Sequence, residues 1–217
     1  MHALDRALLA LNMAFPESSA RVADWVVGRR NLALLELHCS LFGPALQAWA
    51  ICESCEEKME FTINANSLIQ QNPGSAGDEE TVLFNGQSFR IPTSRDLAAA
   101  ARQRSSEAGA LRLMELCAVD GNSPVQWTTE EIAQVGEKMA LADPLAEVRL
   151  ALACPACRNE STETIEITSF LWAEIEGFAK RLLWEIHAIA SVYGWTESEV
   201  LALSAVRRAR YVEMAQI

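Results

Sequence analysis

The sequence has few cationic residues and no long apolar run. It contains 18 lysines and arginines against 29 aspartates and glutamates, giving 217 residues a formal net charge of −11. Such an acidic chain disfavours contact with phosphate backbones and anionic lipid, so we expect neither a nucleic acid nor a membrane as its partner. No stretch approaches the roughly 18 consecutive apolar residues of a membrane span, and the first residues do not have the pattern of a secretory signal. We therefore expect a cytoplasmic protein.

The sequence also lacks the short motifs of the common enzyme classes. It has no glycine-rich phosphate loop, no nucleophile elbow and no pair of histidines four residues apart. Half of its residues are apolar, which excludes a disordered chain and supplies a core that can fold without disulfide bonds. His38, His187, Cys39 and Cys117 lie in apolar helical patterns, where such residues are core or boundary residues rather than ligands. We expect no catalytic residues and no enzyme.

Two Cys-x-x-Cys pairs carry the strongest chemical signal in the chain. Cys52 and Cys55 form the first pair, and Cys154 and Cys157 form the second pair about 100 residues later. A strand-like stretch precedes and follows each pair, which places each pair at the tip of a predicted hairpin. In a reducing compartment, four thiolates in this spacing are the ligand set of a tetrahedral structural zinc ion. We therefore predict one structural Zn²⁺ at Cys52, Cys55, Cys154 and Cys157.

Two other interpretations of the cysteine pairs stay open. In the first, the metal site has decayed, and the cysteines are thiols or disulfides that merely close the hairpins. In the second, the cysteines form a redox dithiol, although no thioredoxin-like βαβ pattern surrounds either pair. The gap between the pairs exceeds the roughly 15–20 residues usual in a zinc ribbon, so the zinc interpretation requires an insert whose ends meet. Four thiolates around one zinc leave no open position for water, so the zinc interpretation predicts no metal catalysis.

Hydrophobic periodicity and turn signals predict an α+β fold. Asn85-Gly86 is the strongest short hairpin signal and predicts paired strands at 81–84 and 88–91. Turn formers at 72–78 predict a loop. Helices are predicted at 3–15, 18–27, 32–41, 93–101, 111–117 and 128–142. Three more follow: a long helix from Ser169 that Gly194 stops, a short helix from Thr196 to Leu203, and a last helix that begins after Ser204. The long helix that begins at Ser169 carries apolar residues on most sides, which predicts that it is largely covered.

We predict one domain with an insert and a helical tail. Residues 1–47 form an N-terminal helical segment. Residues 48–168 form a zinc-ribbon-like module of β hairpins, with an inserted hairpin and helix region at about 70–146. Residues 169–217 form a C-terminal helical region.

The C-terminal region also has the spacing of a helix-turn-helix motif. Ala190, Gly194 and Val200 supply its small residue, turn glycine and apolar anchor. Glu197 and Glu199 begin the second helix, where they would repel the bases and phosphates of DNA. Three arginines lie further along the chain, where a protein groove suits them as well as DNA does: Arg207, Arg208 and Arg210. A zinc-ribbon or helix-turn-helix transcription regulator is therefore the alternative function.

The C-terminal sequence resembles a known family, the small baseplate proteins of contractile tails. These proteins occur in T-even-type phages and in phage-like contractile injection systems. The resemblance covers only residues 170–214, and the string from His187 through Tyr193-Gly194-Trp195-Thr196-Glu197 to Arg207-Arg208 and Tyr211 is its most specific part. The similar residues are Phe170–Ile175, Leu183–His187, Tyr193–Glu197, Leu201–Leu203, Arg207, Arg208 and Tyr211, and Leu41–Pro44 is similar to versions from injection-system clusters.

The resemblance implies a structural or assembly role at the baseplate hub rather than an enzymatic role. The expected partners are other baseplate, hub or tail proteins, and the expected location is cytoplasmic, within an assembled contractile particle. Phage members need not carry the cysteines, so the zinc prediction rests on the cysteine spacing and not on the resemblance. Trp172, Trp184 and Trp195 are expected in the core or as anchors of a partner interface.

Overall fold

The computed structural model describes residues 2–18, 21–71, 81–119 and 127–215. Its architecture is α+β, as predicted, with nine α-helices and three two-stranded antiparallel hairpins within those ranges. The helices are α1 (Ala3–Ala14), α2 (Val27–Phe42), α3 (Ala65–Gln71), α4 (Ser94–Ala100), α5 (Ser106–Cys117), α6 (Thr129–Ala142), α7 (Ile167–Tyr193), α8 (Glu197–Leu201) and α9 (Ala205–Met214). The strands are β1 (Ala45–Ile51), β2 (Lys58–Asn64), β3 (Thr81–Phe84), β4 (Gln87–Arg90), β5 (Val148–Ala153) and β6 (Glu160–Ile165).

The predicted helix at 18–27 is wrong. The chain instead makes two short 3₁₀ turns at Pro16–Ser18 and Val22–Asp24 before α2 begins at Val27. Val26 is extended and bridges Thr93, and the Val27 amide donates to the Pro92 carbonyl at 3.1 Å. A backbone pairing with a distant segment therefore overrides the local helical pattern. The predicted loop at 72–78 lies outside the described residues.

The first and third hairpins carry the cysteine pairs at their tips, but they differ in burial. In β1–β2, one face is buried through Leu46, Ala50, Met59 and Ile63. In β5–β6, Val148 is the one buried residue, and the other strand residues are half-buried or exposed. The hydrophobic effect therefore stabilises the first hairpin much more than the third.

The second hairpin and helices α5 and α6 form an apolar core of their own. The β3–β4 turn is at Asn85 and Gly86, which have φ of 48° and 79°, the left-handed conformations that a type I′ turn requires. This confirms the hairpin predicted from Asn-Gly. The buried residues of this core are Val26, Phe84, Phe89, Ile91, Met114, Cys117, Val135 and Met139.

Hydrogen bonds join the start of α2 to the turn that follows α6. The Asp143 carboxylate is fully buried, and its Oδ2 accepts the Gly28 amide at 2.7 Å, which caps α2 from 115 residues away. Asn31 Nδ2 donates to the Leu145 carbonyl at 2.7 Å. We call these two bonds the α2–Asp143 link. Nothing in the local sequence indicates it, because Asp143-Pro144 looks only like the end of a helix.

A buried arginine lies beside this link. Arg30 donates from Nη1 to Ser94 Oγ at 3.2 Å and from Nη2 to Asn31 Oδ1 at 2.9 Å. Burial lowers the pKa of Arg30, while the carboxylates of Glu166 and Asp143 oppose that shift. The start of α2 is therefore held by a network of buried polar groups that support one another.

The chain divides into two compact units, Met1–Leu171 and Trp172–Ile217. In the second unit, Arg208 is buried, with its Nε 2.9 Å from Glu185 Oε2 and its Nη1 donating to the Leu203 carbonyl at 2.7 Å. The rings of Tyr193, Trp195 and Tyr211 pack together, with centroids 4.8–5.5 Å apart. The subdivision of residues 1–168 into a helical segment and a zinc-ribbon-like module stays a prediction.

The long helix α7 is less covered than its sequence predicts. Phe178, Leu183, Trp184 and Val192 are all between 48% and 62% exposed. The second unit contains α7 from Trp172 onward, and its other helices, α8 and α9, have only five and ten residues, which is too few to cover that length of helix. Among the described residues, no helix combines the length and the hydropathy of a membrane span.

Candidate metal centre

The four cysteines of the two pairs lie together, although about 100 residues separate the pairs. Their sulfur atoms all lie within 4.8 Å of one another. Across the pairs, Cys52 Sγ is 3.6 Å from Cys157 Sγ, and Cys55 Sγ is 3.6 Å from Cys154 Sγ. The ends of the intervening chain therefore meet, as the shared site requires.

The two turns that carry the cysteines have matching backbone conformations. The Cys52 amide donates to the Glu57 carbonyl, and the Cys154 amide donates to the Asn159 carbonyl, both at 2.9 Å. In each turn, the residue after the second cysteine adopts a left-handed conformation, with φ of 61° at Glu56 and 62° at Arg158. Glycine often occupies this position in metal-binding turns, so this chain adopts the same turn with residues that strain it.

The sulfur positions fit a single tetrahedral metal ion. With metal–sulfur bonds of about 2.3 Å, a regular tetrahedron has sulfur–sulfur edges of about 3.8 Å. The two cross-pair distances of 3.6 Å are close to that edge, and all the sulfur–sulfur distances are within 4.8 Å. All six cysteines of the chain are described and all are free thiols, so no disulfide closes either hairpin. The structure therefore shows a four-cysteine cluster with the donor set of a structural metal site.

Backbone amides and neighbouring sulfurs shift the pKa values of these thiols in opposite directions. The amide of Cys157 donates to the Cys154 sulfur and is the largest cause that lowers the pKa of that thiol to about 7. The amide of Glu57 lowers the pKa of Cys55, but the thiols of Cys157, Cys154 and Cys52 outweigh it and raise that pKa to about 12. Four thiolates thus repel one another, and a divalent cation among them would remove that repulsion.

The cluster is buried on one side and open on the other. Cys52 and Cys154 are each 2% exposed and pack with Ala50 and Met59, while Cys55 and Cys157 are exposed. An apolar layer therefore lies behind two of the sulfurs and excludes water from that side. Three acids on the first turn, Glu53, Glu56 and Glu57, are exposed to solvent.

The other predicted core residues do not join this cluster. Cys117 is buried, and burial raises the pKa of its thiol to about 12. Cys39 is half-buried, with Sγ 3.6 Å from Asn66 Oδ1. His38 is buried with Nδ1 3.0 Å from the Gly43 carbonyl oxygen, whereas His187 is exposed on α7, which differs from its expected core or boundary position.

The helix-turn-helix spacing corresponds to the end of α7, the turn at Gly194 and helix α8. Glu199 accepts the backbone amide of Thr196 in a capping box, and both Glu197 and Glu199 are exposed in the first turn of α8. Arg208 is paired with Glu185, and Arg210 is 2.8 Å from Glu213. Most of the charge that would meet DNA here is therefore acidic or neutralised.

Comparison of the chain with protein-family models, with curated proteins and with solved structures gives no match.

Proposed function

We propose that the four-cysteine cluster holds one structural zinc ion. We further propose that the protein works without catalysis, as a structural or assembly component of the baseplate of a contractile tail or contractile injection system. The observation that supports the metal proposal is the cluster itself: four thiols from two matched turns, with all sulfurs within 4.8 Å. Zn²⁺ suits four thiolate ligands in a closed tetrahedral shell.

In this proposal, the ion fastens two hairpins whose connecting chain folds between them. Zinc bound to four sulfurs has no open position for water or substrate, so it contributes folding free energy instead of chemistry. The third hairpin has the most to gain, because its strands bury almost no apolar surface. The cysteines bind the ion, and the amides of Cys157 and Glu57 stabilise their thiolate forms.

Metal analysis of the purified full-length chain tests the zinc proposal. We expect one zinc per chain in the wild type and loss of that zinc in Cys154→Ser and in Cys157→Ser. Cys157 is exposed, so its replacement removes a ligand without creating a cavity. Cys39→Ser is the matched control and should keep the zinc. A wild-type chain that purifies without metal and does not take up added zinc would overturn the proposal.

The C-terminal residues similar to contractile-tail baseplate proteins support the second part of the proposal. Several of them stabilise the second unit itself: Tyr193, Trp195 and Tyr211 pack together, and Arg208 pairs with Glu185. Others, including Trp184 and Leu201, are exposed and available to other proteins. Exposed aromatic residues are enriched at protein–protein interfaces. In this proposal, the protein is cytoplasmic and binds other baseplate, hub or tail proteins rather than nucleic acid.

The baseplate proposal is tested by deleting the gene and purifying contractile particles from the producing cells. We expect the deletion strain to make no particles, or particles that lack baseplates. Expression of the wild-type chain in that strain should restore complete particles. Intact, contractile particles in the deletion strain would overturn the proposal. In a separate assay, salt-sensitive binding of the pure protein to DNA at low ionic strength would favour the transcription-regulator alternative instead.

A further inference from the structure

The middle of α7 presents an apolar stripe that is partly open to solvent. Ile175, Phe178, Leu182 and Ile186 recur at steps of three and four residues, so they share one side of the helix. Phe178 is 48% exposed, and the other three are half-buried. Leu183, at the border of this stripe, is 62% exposed. We call these five residues the α7 stripe.

Charged residues flank the stripe in a pattern that selects its partner. At 100° per residue, Glu174 and Arg181 lie on the same flank of the stripe, while the other flank carries Ala179 and Leu183. Two parallel copies of α7 would place the charged flank of one against the apolar flank of the other. Two antiparallel copies would bring like flanks together, so that each Glu174 meets Arg181 of the second copy.

We infer that the α7 stripe is a self-association surface on which two copies of this chain pair with their α7 helices antiparallel. The pairing is centred between Phe178 and Ala179. In that register, Ile175 lies opposite Leu182 of the second copy, and the large Phe178 lies opposite the small Ala179. Each contact is repeated by the two-fold axis, so the surface is self-complementary, as a two-fold interface requires.

The charges follow the same register. Glu174 of one copy and Arg181 of the other are separated along the seam by two residues, or about 3 Å, which long side chains span easily. The two-fold axis generates this pair twice. The contacts from Ile175 to Leu182 cover about two helical turns, so we expect a reversible dimer rather than a permanent one. This interface depends neither on the metal nor on a baseplate partner.

Sedimentation velocity of the full-length chain over a concentration series tests this inference. We expect a monomer–dimer equilibrium that Phe178→Glu weakens by about tenfold or more, because it buries a charge in the seam. Trp184→Glu is the matched control: Trp184 is also 48% exposed but lies on the opposite side of α7, so dimerisation should be unchanged. A wild-type chain that is monomeric at every concentration overturns the inference, as does equal weakening by both variants.

A charge exchange tests the antiparallel register. Glu174→Arg alone and Arg181→Glu alone should each weaken the dimer by about threefold or more, because each places like charges at both symmetric contacts. The double variant should restore wild-type association, because it reverses both pairs and keeps them complementary. Failure of the double variant to restore association, with both single variants weakened and folded, would overturn the proposed register.

Discussion

Two cross-links join the same two stretches of this chain, and they differ in what holds them. Residues 28–31 are tied to residues 143–145 by the α2–Asp143 link, which is buried and needs no ligand. Residues 52–55 meet residues 154–157 at the four-cysteine cluster, in which two of the four sulfurs are exposed. The first link closes the chain around the inserted region from within the protein. The second depends on an ion from solution. The proposed zinc therefore holds the two cysteine turns together, whereas the rest of the fold does not depend on it.

The largest expected effect separates these two links by removing the metal. After chelation, we expect the amides of β5 and β6 to exchange with solvent about 100-fold faster, a change of about 2.7 kcal/mol. The amides at the start of α2 should keep their protection, and those of β1–β2 should change less because Leu46 and Ile63 remain buried. Hydrogen exchange by mass spectrometry provides the measurement. Equal loss of protection in α2 and β5 would contradict the separation.

The α2–Asp143 link is broken most sharply at Gly28. A Cβ on residue 28 would lie 1.6 Å from Asp143 Oδ1, so the carboxylate would have to move away from the helix end. We expect Gly28→Ala to destabilise the protein by about 2 kcal/mol in urea unfolding while zinc content stays unchanged. Gly136→Ala in α6 is the control, since a Cβ there meets nothing within 4 Å and should stabilise the helix by about 0.5–1 kcal/mol. Two similar effects would contradict the role of the link.

Acid should release the metal from the cysteine cluster before it unfolds the inserted region, where Asp96 is hydrogen-bonded to Arg90 and Thr93. Protons compete with the metal for thiolates, so we expect zinc to dissociate as the pH falls towards about 5 in the presence of a chelator. Burial favours the neutral form of Asp96, but hydrogen bonds from Arg90 and Thr93 outweigh burial and hold its pKa below the ordinary value.

The sign of the Asp96 contribution follows from that lowered pKa. Its stabilisation is present above the ordinary value of about 3.9 and is lost only as the pH falls through the lowered value. Tryptophan fluorescence and zinc release, followed together, should show metal loss at a higher pH than the loss of folded structure. Unfolding of the inserted region at a higher pH than zinc release would contradict this order.

The smallest effect compares the two cysteine turns with each other. Glu56 and Arg158 occupy left-handed positions, so Glu56→Gly and Arg158→Gly should each stabilise the zinc-bound protein by about 0.5–1 kcal/mol. Ser54→Gly and Ala156→Gly, at turn positions without a positive φ, are the controls and should give no gain. Thermal unfolding of the loaded protein provides the comparison. Stabilisation at only one turn would mean that the turns are not equivalent.

The elements that could be predicted from the sequence are those with local causes. Asn85-Gly86 specifies its hairpin, capping boxes begin at Thr128 and Thr196, and alternating residues place both cysteine pairs between strands. The α+β class follows from these local patterns. The meeting of the two cysteine pairs is a long-range contact, and it was predictable because four cysteines in two matched turns make the ligand set of a single metal ion. The Asp143 cap on α2 could not be predicted, because its cause is a contact between distant residues.

Two other differences have the same origin. The helix predicted at 18–27 gives way to an extended segment because Val26 pairs with Thr93, a long-range contact with no local signal. The exposure of α7 also differs from its prediction. Apolar residues on most sides predict burial, but a sequence does not state how long the neighbouring helices will be or whether a second chain covers the surface.

X-ray absorption spectroscopy of the zinc-loaded, full-length protein tests the central claim most directly, because it counts the atoms bound to the metal. If one ion joins both cysteine turns, the spectrum will show four sulfur ligands at about 2.3 Å and no nitrogen, oxygen or second metal nearby. A shell of two sulfurs completed by nitrogen or oxygen atoms would mean that each turn binds on its own, and it would contradict the shared site.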